Sequence, residues 1–316
     1  MKLGDTMSAT DNEKKRMTVA QATFIGVGSM VGAGIFALLG AAGAVAGPAV
    51  WLSFLIAGAI AGLQGYSFAK LGATFPSGGG LLAFLARGFG EGHFAGIVSW
   101  LFYVTGAIVA AMVASSFGGY ASSVVAGDDP FWATVFAVAL VLVMTALNAV
   151  GSNAVARVQS VIVKIVLVLT VFAVATIANW DPALLDPAGY PGVREIVASV
   201  ALTFFAFLGF GVITFTAKDL PNPKRQLPRA VYIALAIATT VYVAVALGVF
   251  GTLTAEQVVD YGTTALAEAA RPVLGDWGYV LMVITALFST AGAVNASLYP
   301  SVGMTQHLAA VGQFPP

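Results

Sequence analysis

Long apolar runs separated by short polar breaks dominate the chain. Eight segments are long enough to cross a bilayer as helices, at about 20 residues per crossing: roughly 17–46, 48–70, 94–123, 131–151, 158–179, 196–217, 230–252 and 277–305. Two intervening stretches differ. Residues 71–93 are broken by Pro76, a triple glycine and Arg87, which predicts a loop with a short interfacial or re-entrant helix. Residues 253–276 are polar enough for an extramembrane helical loop. The first sixteen residues are polar and charged, without the apolar core and cleavage site of a signal peptide. They predict a cytoplasmic tail, 1–16.

Two of the eight segments carry patterns that oppose a continuous helix. Span 1 holds "GVGSMVGAGIF" (26–36) and span 6 holds "FFAFLGFGV" (204–212). Each glycine weakens a helix by about 1 kcal/mol against alanine. A helix break in lipid exposes backbone N–H and C=O groups, which is tolerated only where they line a cavity or bind something. Broken helices at corresponding places in two halves point to a transporter site. Spans 1 and 6 lie five apart with opposite direction, the spacing of an inverted five-plus-five repeat. Small-residue grooves for close helix packing remain the alternative for these glycines. A nucleotide-binding glycine loop needs a strand before it and a helix after it, which a place within the bilayer disfavours.

Composition agrees with a polytopic membrane protein: 59% of residues are hydrophobic and 9% charged, against about 25% charged in soluble domains. The formal net charge is zero, so nothing argues for nucleic acid. There is no cysteine, hence no disulfide and no thiolate metal site. No Ser/His/Asp or metal-ligand constellation is visible, so neither enzymatic activity nor a cofactor is expected; His93 and His307 read as solvated histidines at cytoplasmic edges. Basic residues set orientation. With the N-terminus in the cytoplasm, Lys2, Lys14, Lys15, Arg16, Lys70, Arg87, Arg157, Lys218, Lys224, Arg225 and Arg229 lie inside, and only Arg194 and Arg271 outside. Trp51, Trp132, Trp180 and Trp277 then fall at outer span ends, as an aromatic belt.

No Asp or Glu falls in the middle of a span, and Lys164 is the one ionisable group well inside. It lies about 10 Å along a helix from Arg157, within reach of snorkelling to the interface. The alternative is a lysine facing the bundle interior, where it would gain and lose a proton or stand in for a bound cation.

"GSMVGAGIF" (28–36), "GPAVWLSFLIAG" (47–58), "FPSGGG" (75–80), "FFAFLGFG" (204–211) and "DLPNPKRQLPRA" (219–230) resemble the amino acid–polyamine–organocation permeases in order and spacing, over essentially the whole chain. Lys164 is similar to the span 5 lysine of proton-coupled bacterial members. The resemblance implies an all-α membrane protein with the leucine-transporter-like inverted-repeat fold, spans 1 and 6 broken. It implies a first five-helix repeat over 17–179 and an incomplete second repeat over 196–316. It further implies proton-coupled transport of an amino acid across the cell membrane. A substrate carboxylate would meet backbone N–H groups at Ala33 and Gly34, with Met30 and Gly32 beside them. Carbonyls of Phe205, Ala206 and Leu208 would take the α-amino group. Phe204, Phe207 and Phe210 would act as gates, although plain helix packing explains phenylalanines as well. Lys164 would lie near span 1 and Ser289 or Thr290 of span 8, as the coupling site. Ala33 stands where relatives often carry Ser or Thr, and Gly211 where many carry an acid. A neutral, small or apolar amino acid is therefore expected. An exchanger of amino acid for amine and a transport-incompetent sensor are the rivals. The family usually has twelve spans, so the chain is expected to be part of a longer protein.

Overall fold

In hydrocarbon every backbone N–H and C=O must find a partner within the chain, and a helix supplies those partners locally. The apolar segments accordingly form helices in the computed structural model, which describes residues 17–77, 79–90, 92–150 and 162–310. The tail 1–16, Arg157 and the end of the chain from 311 lie outside the described residues.

Helix α1 (Val19–Ala46) starts at a capping box: the Thr18 hydroxyl accepts from Gln21 N at 3.2 Å, and Gln21 Oε1 accepts from Thr18 N at 2.9 Å. It ends at Gly47, whose φ of +52° suits glycine, and at Pro48. Helix α2 (Val50–Thr74) follows, then the short α3 (Gly80–Phe89), α4 (His93–Val125), α5 (Pro130–Val150) and α6 (Ile162–Ala178). After a loop with two short 3-10 turns come α7 (Val193–Phe205), a 3-10 stretch (Leu208–Asp219), α8 (Pro223–Phe250), two small helices α9 (Ala255–Tyr261) and α10 (Ala265–Glu268), and α11 (Arg271–Ala310).

Among the described residues, six helical runs are long and apolar enough to cross a membrane. One of them, Val19–Thr74, has 56 residues. That is about 84 Å of helix against a hydrocarbon core of about 30 Å, so α1 and α2 are two crossings joined at Gly47–Ala49. With the apolar α6 of 17 residues, the eight segments read from the sequence are accounted for. The interfacial helix expected within 71–93 is α3, and the loop 253–276 contains α9 and α10.

The bundle is built around α1, which packs against α4, α7, α8, α11 and the 3-10 stretch. Helix α8 lies between α2 and α6, and α4 between α5 and α11. Met30, Ile35, Phe54, Phe172, Tyr242 and Phe250 fill the centre. The exposed residues Phe94, Ile97, Leu101, Val104 and Ile108 form one stripe along α4, the apolar face a lipid-contacting helix presents. At one end of the bundle Met17 N donates to Asp219 O at 2.9 Å. At the other, Trp51 Nε1 donates to the Tyr190 hydroxyl at 3.0 Å and Asp181 N to Gly251 O at 2.9 Å.

The two expected helix breaks part company here. Span 6 is broken: α7 stops at Phe205, a turn covers Ala206 and Phe207, and the chain continues as twelve residues of 3-10 helix. Runs of 3-10 beyond three or four residues are uncommon and mark strain or function. Span 1 is not broken, which corrects the expectation. Helix α1 is one α-helix over all 28 residues, and its glycines serve close contact. A Cβ at Gly32 would collide with the Ser289 carbonyl and Ala293 of α11, and one at Gly34 with the Tyr242 hydroxyl of α8. Leaving out the side chain lets the backbones approach while the hydrogen-bond ladder stays intact.

Gly32→Ala is therefore expected to destabilise the bundle by about 1–3 kcal/mol through overpacking. Gly62→Ala on α2, where a Cβ meets nothing within 4 Å, should be neutral or stabilising by up to about 1 kcal/mol. Thermal unfolding of both variants in detergent checks this; equal midpoints would contradict the contact role of Gly32.

Candidate functional site

The interruption of span 6 opens onto a cavity of about 360 Å³. Its walls come from five of the crossing segments and α3. Ser29 contributes from α1, Gln64 and Phe68 from α2, Thr105 and Gly106 from α4, and Ser297 and Met304 from α11; Phe205 through Phe215 contribute from the broken span, Phe207 and Ile213 excepted. None of the lining residues is ionisable.

The polar chemistry of the cavity comes first from the backbone. The turn at Ala206–Phe207 keeps some local bonds: Ala206 N donates to Thr203 O at 3.1 Å and Phe207 N to Phe204 O at 2.9 Å. Between Phe205 and Leu208 the winding changes from α to 3-10, and the backbone borders the cavity at Phe205, Ala206, Leu208 and Gly209. Gly209 packs on α1 so closely that a Cβ there would lie 2.8 Å from Met30 N and from the Ser29 hydroxyl. The Ala206 carbonyl is taken differently from the expectation: it accepts from the buried Tyr242 hydroxyl of α8 at 3.1 Å. Gly34 provides the space in which that hydroxyl sits.

Side-chain hydroxyls on the cavity wall are mostly committed. Thr105 donates to Leu101 O, Thr214 to Gly211 O and Ser297 to Ala293 O, at 2.7–2.8 Å. Gln64 is not: its Oε1 is buried without a hydrogen-bond partner.

Of the expected substrate contacts, Phe205, Ala206, Leu208 and Gly211 line the cavity. Met30, Gly32 and Gly34 do not; they are buried in the contacts of α1 with its neighbours. The amides of Ala33 and Gly34, expected to be free, lie within the unbroken α1, whose N–H groups serve the helix. Of the expected gates, Phe210 lines the cavity, its ring 5.4 Å from that of Phe68. Phe207 is buried behind it with its ring edge on Tyr242, centroids 5.1 Å apart, and Phe204 packs half-buried against the core.

The expected coupling triad is not assembled in this structure. Lys164 is exposed on α6. Ser289 is fully buried with its hydroxyl unpartnered, while Thr290 donates to Ala286 O of its own helix at 2.7 Å. Sequence reasoning missed Ser29, Gln64 and Phe68. A carboxamide inside an apolar span was the available signal for Gln64, overlooked because only ionisable groups were sought.

Comparison with known proteins identifies the family. The sequence model of the family described as "Amino acid permease" matches residues 17–316. The chain is 34% identical over 308 residues to the inner membrane transport protein YbaT of Escherichia coli, covering 96% of this chain and 72% of that protein. It is 28% identical over 296 residues to the branched-chain amino acid permease BcaP of Bacillus subtilis, covering 84% and 62%. It is 27% identical over 323 residues to the vacuolar cationic amino acid transporter 2 of Arabidopsis thaliana, covering 95% and 50%.

Tyr242→Phe removes the bond to the Ala206 carbonyl without changing the shape that fills the space beside Gly34. A loss of about 1 kcal/mol in stability is expected, together with a raised KM for whatever the break binds. Melting in detergent and uptake kinetics read the two effects; a variant unchanged in both would show that the bond does not hold the break.

Proposed function

Because the chain belongs to the amino acid permease family, we propose that this amino acid transporter carries neutral amino acids through the cell membrane by alternating access, driven by protons. The carrying observation is a cavity at a broken helix with no charged side chain in its lining. The backbone of the break at Phe205, Leu208 and Gly209 would meet the α-carboxylate and α-ammonium groups. Phe68, Phe205 and Phe210 give the side chain apolar surface. A cationic side chain would enter without a counter-charge, at a cost of several kcal/mol.

The reading divides the chain into a first repeat over 17–179 and a second beginning at 196. In this state only the second repeat has its first span interrupted. Orientation follows the eleven-to-two excess of basic residues on the inner side. The chain has no cysteine, so single Asp260→Cys and Arg225→Cys variants can be labelled cleanly. Asp260→Cys should react from outside and Arg225→Cys only after permeabilisation; labelling of the latter from outside would reverse the orientation.

Lys164 is the proposed coupling residue. It must leave its exposed place and approach α1 and the unpartnered Ser289 hydroxyl in another state of the cycle; a snorkelling anchor would stay where it is. In proteoliposomes with an inward proton gradient, the protein is expected to accumulate alanine or leucine, with excess arginine competing poorly. Lys164→Ala should lose accumulation but keep binding. Lys164→Arg should fail as well, because arginine stays protonated throughout. Equal competition by arginine would overturn the neutral substrate, and normal gradient-driven uptake by Lys164→Arg would remove Lys164 from the coupling step.

A further inference from the structure

We propose that Gln64 reads the side chain of the carried molecule, and that the preferred class is the neutral amino acids bearing a hydroxyl or a carboxamide. The inference rests on the neutral amino acid reading above and narrows it. Gln64 and Phe68 are one helical turn apart on α2 and both face the cavity. Phe68 closes on Phe210 of the broken span. The Gln64 Oε1 lies buried with no hydrogen-bond partner, and no bond from its amide nitrogen joins any described residue.

Buried polar groups in folded proteins are nearly always bonded, and leaving one unpaired is unfavourable. A ligand that brings the missing partner removes that penalty. On that reading the α-carboxylate and α-ammonium groups lie at the break, where the Ser29 hydroxyl stands against Gly209. Gln64 is left for a third polar group, which must sit on the side chain. Turned either way, a carboxamide presents both a donor and an acceptor. It pairs reciprocally with another carboxamide and can both give to and accept from a hydroxyl. An aliphatic side chain leaves it unsatisfied, and sites that hydrogen-bond a substrate hydroxyl reject analogues lacking one.

Threonine and valine share a shape and differ in that hydroxyl, so they isolate the effect. Uptake by the wild-type protein in proteoliposomes is expected to favour threonine over valine by about tenfold or more in kcat/KM. Gln64→Met, close in volume, should bring threonine down to the valine level while valine uptake stays within about twofold. A wild-type ratio near one overturns the proposal whether or not the variant folds. So does a variant that keeps the ratio, or one that loses both substrates equally, since Gln64 would then serve the shared α-groups or the fold. If wild type takes up neither amino acid but does take up arginine, the neutral reading itself fails and this proposal with it. Uptake of both at equal efficiency removes the Gln64 assignment alone.

Discussion

Every backbone N–H and C=O that enters hydrocarbon needs a partner inside the protein, and the architecture follows from that requirement. It makes the eight apolar segments helices and sets Thr18 and Gln21 as a capping box where α1 begins. It also explains why hydroxyls along the spans, such as Thr105, Thr176 and Thr290, donate to carbonyls of their own helices. Against this background the interruption between Phe205 and Leu208 stands out. The break is tolerable because the Ala206 carbonyl is held by Tyr242 and the turn borders a cavity. The site exists where the helical rule is suspended.

A second constraint follows from the same solvent. Lipid gives helices no hydrophobic reason to associate, so contact must come from close packing. Glycine supplies it where α1 meets its neighbours: Gly32 against the Ser289 carbonyl, Gly34 against Tyr242, Gly43 against the Phe250 ring. These notches make α1 the axis on which the broken span, α8 and α11 all rest. They also explain why Met30 and Gly32, on the expected side of the site, are taken up by packing rather than by the cavity.

Apolar length is a strong signal, and the helix count, the interfacial α3 and the loop helices were legible from it. The break in span 6 was legible because three glycine-or-alanine steps interrupt a run of phenylalanines over 204–211. The same residue misled in span 1. Glycine either ends a helix or admits a neighbour, and what decides is the atom opposite: a carbonyl of Ser289 or a hydroxyl of Tyr242, both far away in sequence. For that reason the cavity lining at Phe205, Ala206, Leu208 and Gly211 was legible in advance, whereas the unbroken course of α1 through Ala33 and Gly34 was not. Lys164 was visible as a charge within a span, but the direction it faces depends on which helices flank α6, and sequence carries no such information.

Tyr242 joins the two constraints. Its hydroxyl occupies the notch left by Gly34 and bonds the carbonyl of Ala206, while its ring packs on Phe54 and Phe207. The packing of α1 on α8 and the shape of the break are therefore one arrangement rather than two. If α1 slides along α8, the hydroxyl loses its notch and the Ala206 carbonyl loses its donor, in the low-dielectric interior where an unpaired carbonyl is most costly. If the break is drawn toward something in the cavity, the same bond pulls on the face of α8 that holds α1. Interdigitated packing of this kind shifts between discrete arrangements and does not deform smoothly. A molecule that draws on the break from the cavity would thus act on the helix interface through one hydroxyl, without itself touching Gly34.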